Sequence, residues 1–474
     1  MKMLGHSAAA ALATLALCGF VASASGAPLC DYVFATTSDY TVSGTCSTVE
    51  VLPTWASETG VAPAHSDAVA RRHGELLYVV NRLYGDNIQV IDPADFSTVL
   101  QFSVGPGSDP HDIVFVSDER AYVPRYESRW LLEVNPATGA ITDSIDLGAF
   151  ADADGIPEMD CAALSGGYLF VAVERLDRDY YWTPVPPSLL AVIDISTNAL
   201  VDADPQTPGT QGVELACANP RGEILASEDG TTLYVACPGE WGLLDGGIEA
   251  VDAVALASAD IVASETALGG EIQDFTLPAA GRAYAVLSDP VWATRCVAFD
   301  WATGAPLETL VTTAGFDLAD IELHEGSRQL FVSDRGYSAP GVRVFDGPSG
   351  DELTSSPVSV GLPPHDLLLV GETVTGVETA GTTGAASLRV VSNPCLERAV
   401  IAYEVASRAS FTLDLYDASG RHVRRLATAA SGRGSGRVDW DGRDAHGARV
   451  ASGCYFVRLR TEGASRLARL VLLR

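Results

Sequence analysis

The stretch DAVARRHGELLYVVNRLYGDNIQVID (residues 67–92) carries the pattern that decides the fold. An acidic residue starts it, and a short apolar run and a turn follow. A second apolar run (76–80) then ends at a polar residue, and a third run (88–91) ends at Asp92. Short runs rich in Val, Ile and Tyr, separated by turn residues, are typical of β-strands. The stretch therefore predicts successive strands of one structural unit.

The same pattern recurs along the chain, which indicates a repeat protein. Its acidic residue stands at Asp67, Asp112, Asp160, Glu223, Asp274, Asp320 and Asp366. Successive positions lie 45, 48, 63, 51, 46 and 46 residues apart. A period of about 45 residues with about four short strands in each unit is the signature of a β-propeller.

The last unit is incomplete, since it stops shortly after Asp366. Strand-like runs at 32–35 and 48–51 stand before the first unit. We expect these N-terminal strands to complete the last sheet, because closure removes sheet edges that invite aggregation. The predicted fold class is all-β: a seven-bladed β-propeller closed by N- and C-terminal strands, followed by an immunoglobulin-like β-sandwich.

Several motifs of the repeat resemble the YVTN/YncE-like propeller family. They are LYVVN (77–81), IQVID (88–92), VG (104–105), PHD (110–112) and NPATG (135–139). The resemblance covers residues 65–370 at the level of repeats and departs from the family pattern in the long third and fourth units. It implies the fold but no particular function, because such repeats occur in proteins with unrelated roles.

The N-terminus (1–26) is typical of an export signal peptide. Lys2 supplies the positive end, residues 8–21 the apolar stretch, and residues 22–24 (ASA) a small-residue cleavage site. No later stretch is long and apolar enough to predict a transmembrane segment. We therefore expect an exported protein, located outside the cell or on the outer cell surface rather than in the periplasm.

The remaining chain divides into a propeller, a linker and a C-terminal domain. Residues 27–372 hold the repeats, and residues 373–387 are small and polar, as in a linker. Residues 388–474 alternate apolar and polar residues between turn sequences, which predicts a sandwich of short antiparallel strands.

The C-terminal part resembles the sorting domains of type IX secretion cargo and the related immunoglobulin-like domain of flagellar hook-capping proteins. Matching residues include SNP (392–394), WDGRD (440–444), SG (452–453) and RLVLLR (469–474). The resemblance implies a domain that directs the protein through the outer membrane and is cleaved during surface attachment, with the secretion and attachment machinery as partner. The alternative is an accessory sandwich that packs on the propeller through opposite charge.

Charge is unevenly distributed between the two folded parts. Residues 27–384 hold 14 Arg against 53 Asp and Glu, whereas residues 385–474 hold 15 Arg against 8 Asp and Glu. The acidic body would repel nucleic acid, so nucleic-acid binding is excluded. It would also concentrate cations.

Removal of the signal peptide leaves eight cysteines, and none has the CxxC spacing of a metal knuckle. An even count in an oxidising compartment favours disulfides. Cys30–Cys46 and Cys395–Cys454 are the predicted pairs, and the pairing of the other four cysteines stays open.

The seven acidic residues begin the strands that line a propeller channel, so they form a ring at one channel mouth if their side chains point inward. So many carboxylates need compensation, because neighbouring negative charges raise one another's pKa. Arg82, Arg125, Arg175 and Arg335 follow second strands on the same face. One interpretation is that these acids form hydrogen bonds with arginines and backbone groups and so join the blades. The other is that they line a polar ligand pocket or bind a Ca²⁺-like ion.

Histidines add a possible metal site. His65, His111 and His365 immediately precede the first strands of neighbouring blades. Together with Asp67, Asp112 and Asp366, these imidazoles could bind Zn²⁺ or a similar divalent metal. The alternative is that each histidine caps its strand. The sequence therefore leaves the cofactor unknown, with Ca²⁺ or Zn²⁺ as candidates.

Aromatic residues collect in the loops after the second strands, where flat rings suit glycans, peptides or cationic groups. They could equally pack between blades. The predicted ligand-binding residues are Arg82, Tyr84, Arg125, Tyr126, Trp130, Arg175, Trp182, Trp241, Trp292, Arg335 and Tyr337.

The sequence favours a binding protein over an enzyme, because it contains no glycine-rich phosphate loop, HExxH or GxSxG motif. Its ligand is an unknown protein, glycan or small molecule. The alternative is a metal-dependent hydrolase or lyase at the same channel mouth, with His111 or His365 as base.

Overall fold

The structure, a computed structural model, describes residues 31–51, 53–371, 387–390, 395, 398–405, 411–417, 421–429, 434–461 and 465–472. Within these ranges the regular secondary structure is almost entirely β-strand, joined by turns and loops. The exceptions are one turn of 3₁₀ helix (Gly148–Phe150) and one turn of α-helix, α1 (Glu265–Leu268).

The strands of the N-terminal part follow the predicted repeat. Three strands precede the first complete sheet: β1 (Tyr32–Thr37), β2 (Ser43–Glu50) and β3 (Ser57–His65). The first sheet contains β4 (Ala68–His73), β5 (Leu76–Asn81), β6 (Asn87–Asp92) and β7 (Ser97–Ser103). The second contains β8 (Val114–Ser117), β9 (Arg120–Val123), β10 (Trp130–Asn135) and β11 (Ala140–Asp146).

The third unit is the longest, and it carries an inserted ribbon of two short strands between its second and third sheet strands. Its strands are β12 (Met159–Ser165), β13 (Tyr168–Val173), β14 (Leu176–Asp177), β15 (Thr183–Pro184), β16 (Leu189–Asp194), β17 (Ala199–Val201) and β18 (Val213–Glu214).

Three further sheets continue the series. The fourth contains β19 (Arg221–Ala226), β20 (Thr232–Cys237), β21 (Gly247–Asp252) and β22 (Ala257–Ser264). The fifth contains β23 (Glu271–Phe275), β24 (Arg282–Ser288), β25 (Thr294–Asp300) and β26 (Ala305–Thr312). The sixth contains β27 (Leu318–His324), β28 (Gln329–Asp334) and β29 (Gly341–Asp346).

The two ends of this region share the last sheet, whose strand order is β3-β2-β1-β30 with β30 at Pro364–Val370. β1 pairs antiparallel with β30, and Phe34 lies opposite Leu368. The predicted closure by N- and C-terminal strands is therefore confirmed.

Buried apolar clusters join each sheet to the next. Val80 and Val123 belong to one cluster that links the first and second sheets. Val33 and Phe331 link the sixth sheet to the last, and a further cluster around Phe34 links the last sheet back to the first. Each buried side chain of this size contributes about 1.5–3 kcal/mol. The series returns to its start, so the sheets form a closed ring and the region is a β-propeller.

The C-terminal part is a two-sheet sandwich. Its strands are β31 (Ser387–Val390), β32 (Ala399–Val405), β33 (Phe411–Asp417), β34 (His422–Ala429), β35 (Gly434–Trp440), β36 (Gly453–Thr461) and β37 (Ser465–Leu472). One sheet has the order β31-β32-β35 and the other β34-β33-β36-β37. Trp440 is fully buried between them, and its indole N–H donates to the Arg443 carbonyl at 2.8 Å. This agrees with the predicted immunoglobulin-like sandwich.

The predicted disulfides receive no support in the described residues. Cys46 is a buried free thiol, and it lies opposite Thr36 in the β1–β2 pair. Cys30 and the side chain of Cys454 lie outside the described residues. Cys161, Cys217, Cys237 and Cys296 are also buried free thiols. In the same part of the chain, no helix is long and apolar enough to cross a membrane.

Candidate functional site

A cavity of about 700 Å³ opens at the channel mouth where the first strands begin. Its floor includes Arg71, Glu223, Asp274, Asp320 and Asp366, all on the innermost strands of their sheets. Its wall is formed by loops and by the ends of second strands, as the sequence predicted for this face. The volume lies within the usual range for small-molecule sites, about 300–1,000 Å³.

Most of the repeated acidic residues bind backbone N–H groups of the next sheet. Asp112 accepts the Ala162 N–H at 3.1 Å, and Asp160 accepts the Gly222 N–H at 2.6 Å. The same bond joins Asp274 to Ile321 at 2.8 Å, Asp320 to Leu367, and Asp366 to Ala70 at 2.8 Å. These carboxyls therefore join adjacent blades, as one of the two interpretations of the acidic ring predicted.

Two of the seven acids have different partners. Asp67 accepts hydrogen bonds from Arg82 at 2.8 Å and lies 3.0 Å from Nε2 of His365. Burial raises the pKa of Asp67, but Arg82 and His365 outweigh it, and the net shift is downward. Glu223 instead lies 3.0 Å from Arg71, which also binds Asp112 at 2.8 Å.

The carboxyls of the fifth, sixth and last sheets are poorly compensated. Burial raises the pKa of Asp274 to about 7, and Glu223 adds to the effect. Burial also raises the pKa of Asp320 well above its usual value, as does the neighbouring Asp274. The pKa of Asp366 rises for the same reasons, with Asp320 as its neighbour. These groups hold protons at pH values where an ordinary aspartate is ionised.

His111, Tyr126 and Trp182 form one side of the wall, and Arg178 packs against the two aromatic rings without lining the cavity. These four residues are called the histidine cluster. Nδ1 of His111 binds Asp160, Nε2 lies 3.4 Å from Asp109, and the ring stacks on Tyr126 at 4.5 Å. Burial lowers the pKa of His111, but the two carboxylates raise it to about 9. The imidazolium is therefore charged at neutral pH.

The outer part of the histidine cluster is also charge-paired. Arg178 lies over Trp182 at 4.9 Å and binds Glu158 at 2.7 Å and Glu127 at 2.5 Å. The Tyr126 hydroxyl donates to Glu174 at 3.2 Å. Burial and the charge of Asp160 raise the pKa of Glu174 to about 8, so this carboxyl is protonated at neutral pH.

The opposite side is the tryptophan cluster: Trp241, Trp292, Phe316 and Arg335. The two indoles lie 4.9 Å apart, and Phe316 lies 6.1 Å from Trp292. The Arg335 guanidinium lies 5.4 Å from the Phe316 ring centroid. Trp241 and Trp292 are 48% and 56% exposed, so their faces are available to a ligand.

The predicted ligand-binding residues divide into two groups. Those in the cavity wall are Arg82, Tyr126, Trp182, Trp241, Trp292 and Arg335. The others lie outside it: Tyr84, Arg125, Trp130, Arg175 and Tyr337. Arg175 donates to the Pro187 carbonyl at 2.8 Å, and Arg125 donates to the carbonyls of Trp130 and Val104, so both point away from the cavity.

The six predicted metal ligands do not converge, which corrects the metal-site prediction. His111 and His365 line the cavity but bind different aspartates, and Nδ1 of His65 accepts the Asp67 N–H at 3.3 Å. The carboxyls of Asp112 and Asp366 are occupied by Arg71 and by backbone N–H groups. Among the described residues, no group of three His, Cys, Asp or Glu side chains is arranged to hold a metal ion.

Sequence reasoning missed Arg221, Phe316, Glu174 and Glu271, all of which line the cavity. Glu174 directly follows β13, as Arg82 follows β5 and Arg335 follows β28. Aligning the units on the last residue of each second strand would have found it. Phe316 stands in a loop without a periodic pattern, and nothing in the sequence marked it.

Comparison with known proteins identifies the C-terminal domain and the fold of the propeller. Residues 397–465 match the FlgD Ig-like domain family. No curated protein matches the chain. A putative 6-phosphogluconolactonase from Bacteroides uniformis is similar in structure, with a TM-score of 0.52 and 15% identity over 72% of this chain and 99% of its own.

Two further solved structures are similar. The periplasmic gluconolactonase PpgL from Pseudomonas aeruginosa has a TM-score of 0.52 and 15% identity over 72% of this chain and 99% of its own. PorZ, a surface component of the type-IX secretion system of Porphyromonas gingivalis, has a TM-score of 0.43 and 15% identity over 90% of this chain. The chain spans 63% of the length of PorZ. At such identities the likeness to the two lactonase structures shows the fold alone.

Proposed function

We propose that this protein is an exported binding module whose propeller holds a polar small molecule or a glycan segment at the channel mouth. The observation that carries the proposal is the pairing of half-exposed indoles with a charged floor in one cavity of about 700 Å³. Apolar or aromatic walls with a few convergent polar groups are typical of ligand sites. Flat rings at the rim suit the faces of sugar rings.

The charge and the hydrogen-bond partners of the two imidazoles favour binding over metal-dependent hydrolysis or elimination. His111 is charged and engaged by a carboxylate at each nitrogen, so it is not available as a base at neutral pH. His365 is held by Asp67 through Nε2, and burial lowers its pKa, so its Nδ1 keeps a lone pair. The metal-dependent alternative also needs a set of metal ligands, and among the described residues no group of three His, Cys, Asp or Glu side chains forms one. We therefore favour binding over metal-dependent catalysis at this cavity.

We further propose that residues 1–26 direct export and that residues 388–474 serve secretion and attachment to the outer cell surface. The match of residues 397–465 to the FlgD Ig-like family supports a discrete domain. Its positive charge contrasts with the acidic propeller and would suit an anionic cell-surface partner. Deletion of residues 388–474 should leave the propeller folded but keep it inside the outer membrane, so that it is missing from the cell surface and the medium; display of the deleted protein at the surface would contradict this role.

The binding proposal is tested with a panel of neutral and acidic glycans and the purified mature protein. The double variant Trp241→Ala/Trp292→Ala should lose at least tenfold in affinity for any bound glycan, because both stacking faces are removed. The matched control is Tyr84→Ala/Tyr337→Ala, which removes two exposed aromatic rings outside the cavity. Equal effects of the two double variants, or no binding across the panel, would reject the proposal.

A further inference from the structure

The arginines in the cavity wall differ in their charge compensation. Arg71 binds Asp112 and Glu223, and Arg82 binds Asp67. Arg221 and Arg335, in contrast, have no carboxylate within 4.0 Å among the described residues. Arg221 donates to the amide oxygen of Gln273 at 3.0 Å. The cavity therefore presents two guanidinium groups that form no close ion pair among the described residues, although Glu174 and Glu271 lie near Arg221, and Asp317 and Asp320 near Arg335.

Arg335 is the more exceptional of the two. Its Nη2 donates to the Phe316 carbonyl at 3.2 Å, while its Nε is buried and has no hydrogen-bond partner in the part of the chain that the structure describes. A buried donor without a partner costs about 1–3 kcal/mol, and more when it is charged. Burial lowers the pKa of Arg335. An anion bound beside Arg335 would relieve this cost.

Asp317 and Asp320 act on Arg335 through their charge, but neither carboxyl forms an ion pair with it within 4.0 Å among the described residues. Asp320 lies on the neighbouring floor and carries a pKa raised by burial and by Asp274. Its oxygens already accept the N–H groups of Ile321 and Leu367. Arg335 therefore keeps its charge facing the cavity although the propeller as a whole is strongly acidic.

An aromatic surface adjoins this cation. Trp241, Trp292 and Phe316 come from loops of the fourth, fifth and sixth sheets, and their ring centroids lie 4.9–6.4 Å apart. Arg335 lies against the last of these rings. An electron-rich ring face attracts the partly positive C–H groups of a sugar, by the same electrostatics that attract a cation.

We infer that the cavity binds an acidic sugar, with the sugar ring on the tryptophan cluster and its carboxylate on Arg335, assisted from the fourth sheet by Arg221. This inference rests on the proposed function and names its ligand class. The guanidinium fork matches carboxylate geometry, and such charge-assisted hydrogen bonds are the strong ones. A singly charged carboxylate suits the site better than a phosphate group, because Asp160 and Glu223 already bring negative charge to the same cavity.

The test compares three probes by titration calorimetry on the mature protein: methyl glucuronoside, methyl glucoside and glucose 6-phosphate. The glucuronoside should bind at least tenfold more tightly than the glucoside. Arg335→Gln should abolish this preference while leaving weak binding to both sugars. The control Arg125→Gln changes an arginine of the same face that points away from the cavity, and it should keep the preference.

The other outcomes separate the inference from the proposal on which it rests. Suppose that the two methyl glycosides bind equally and that Trp241→Ala/Trp292→Ala abolishes binding. The inference that the ligand is acidic would then be wrong, whereas the proposed binding site at the tryptophan cluster would stand. Tighter binding of glucose 6-phosphate than of the glucuronoside would overturn the choice of carboxylate. Quenching of tryptophan fluorescence by the glucuronoside in the wild type, and its absence in Trp292→Ala, would support the predicted stacking.

Discussion

The two sides of the cavity wall contain similar side chains but differ in how their charges are compensated. Both combine stacked aromatic rings with a cationic group. In the histidine cluster, His111 lies against Asp160 and Asp109, and Arg178 against Glu158 and Glu127. In the tryptophan cluster, Arg335 forms no ion pair in the described part of the chain, and its guanidinium donates to the Phe316 carbonyl.

The floor below shows the same contrast. Asp160 on the third sheet has a lowered pKa, since the His111 hydrogen bond and charge outweigh its burial. Asp274, Asp320 and Asp366, on the fifth, sixth and last sheets, have raised values because burial dominates. The paired charges of the histidine cluster stabilise the fold, whereas the unpaired Arg335 of the tryptophan cluster is left for an anionic ligand. We therefore expect mutations in the first cluster to affect stability and those in the second to affect binding.

The largest effect on stability is expected from Asp160→Ala. This change leaves the His111 imidazolium without its closest carboxylate and the Gly222 N–H without its acceptor. Removing one partner of a buried ion pair costs about 3–5 kcal/mol. Urea unfolding followed by circular dichroism should show a loss of this size.

Arg335→Ala is the matched change in the tryptophan cluster. It removes a contact with Phe316 but no ion pair, so a loss of about 1 kcal/mol or less is expected. Comparable losses for Asp160→Ala and Arg335→Ala would remove the distinction between the two clusters.

The next effect is a dependence of stability on pH that comes from Asp274. Its pKa is about 7 in the folded protein and near 3.9 in an unfolded chain, so the folded state holds a proton that the unfolded state releases. The resulting stabilisation is full below about pH 4 and is lost as the pH rises through about 7. Between pH 5 and pH 8 the free energy of unfolding should fall by about 2–3 kcal/mol.

Asp274→Asn should make this profile shallower by about that amount, because an amide cannot ionise, while the slope that comes from Asp320, Asp366 and Glu174 remains. The control is Asp146→Asn, an exposed carboxyl whose pKa is lowered, chiefly by its hydrogen bond with Arg129, and which therefore titrates below this window. A profile as steep in Asp274→Asn as in the wild type would assign the pH dependence to other groups.

The fold could be predicted from the sequence because its signals are local and repeated. Each unit begins with an acid, and the pairing of Phe34 with Leu368 follows from assigning the N-terminal strands to the last blade. The mouth of the channel could also be located, since the starts of first strands and the ends of second strands must meet there. Four of the predicted tryptophans and tyrosines of the wall follow from this reasoning alone: Tyr126, Trp182, Trp241 and Trp292.

The side chains that line the site were harder to predict than the fold. A shift of one residue along a strand decides which side chain points into the cavity. Successive strand residues point to opposite sides. The sequence prediction chose Arg175, but the preceding residue, Glu174, lies in the cavity. The partner of His111 is Asp160, 49 residues away on another sheet, and no local pattern encodes that contact. The expected convergence of three histidines failed for the same reason, because each imidazole has a nearer carboxyl or N–H.

The smallest effects are expected from changes to one aromatic ring in each cluster. Tyr126→Phe keeps the stack on His111 but removes the hydrogen bond to Glu174, so a loss of about 1 kcal/mol is expected. Trp292→Phe changes a half-exposed ring and should alter the free energy of unfolding by less than about 0.5 kcal/mol. Thermal unfolding of the two variants beside the wild type measures both. If Trp292→Phe were the more destabilising change, the tryptophan cluster would be a packing element, and the argument that its exposed rings await a ligand would fail.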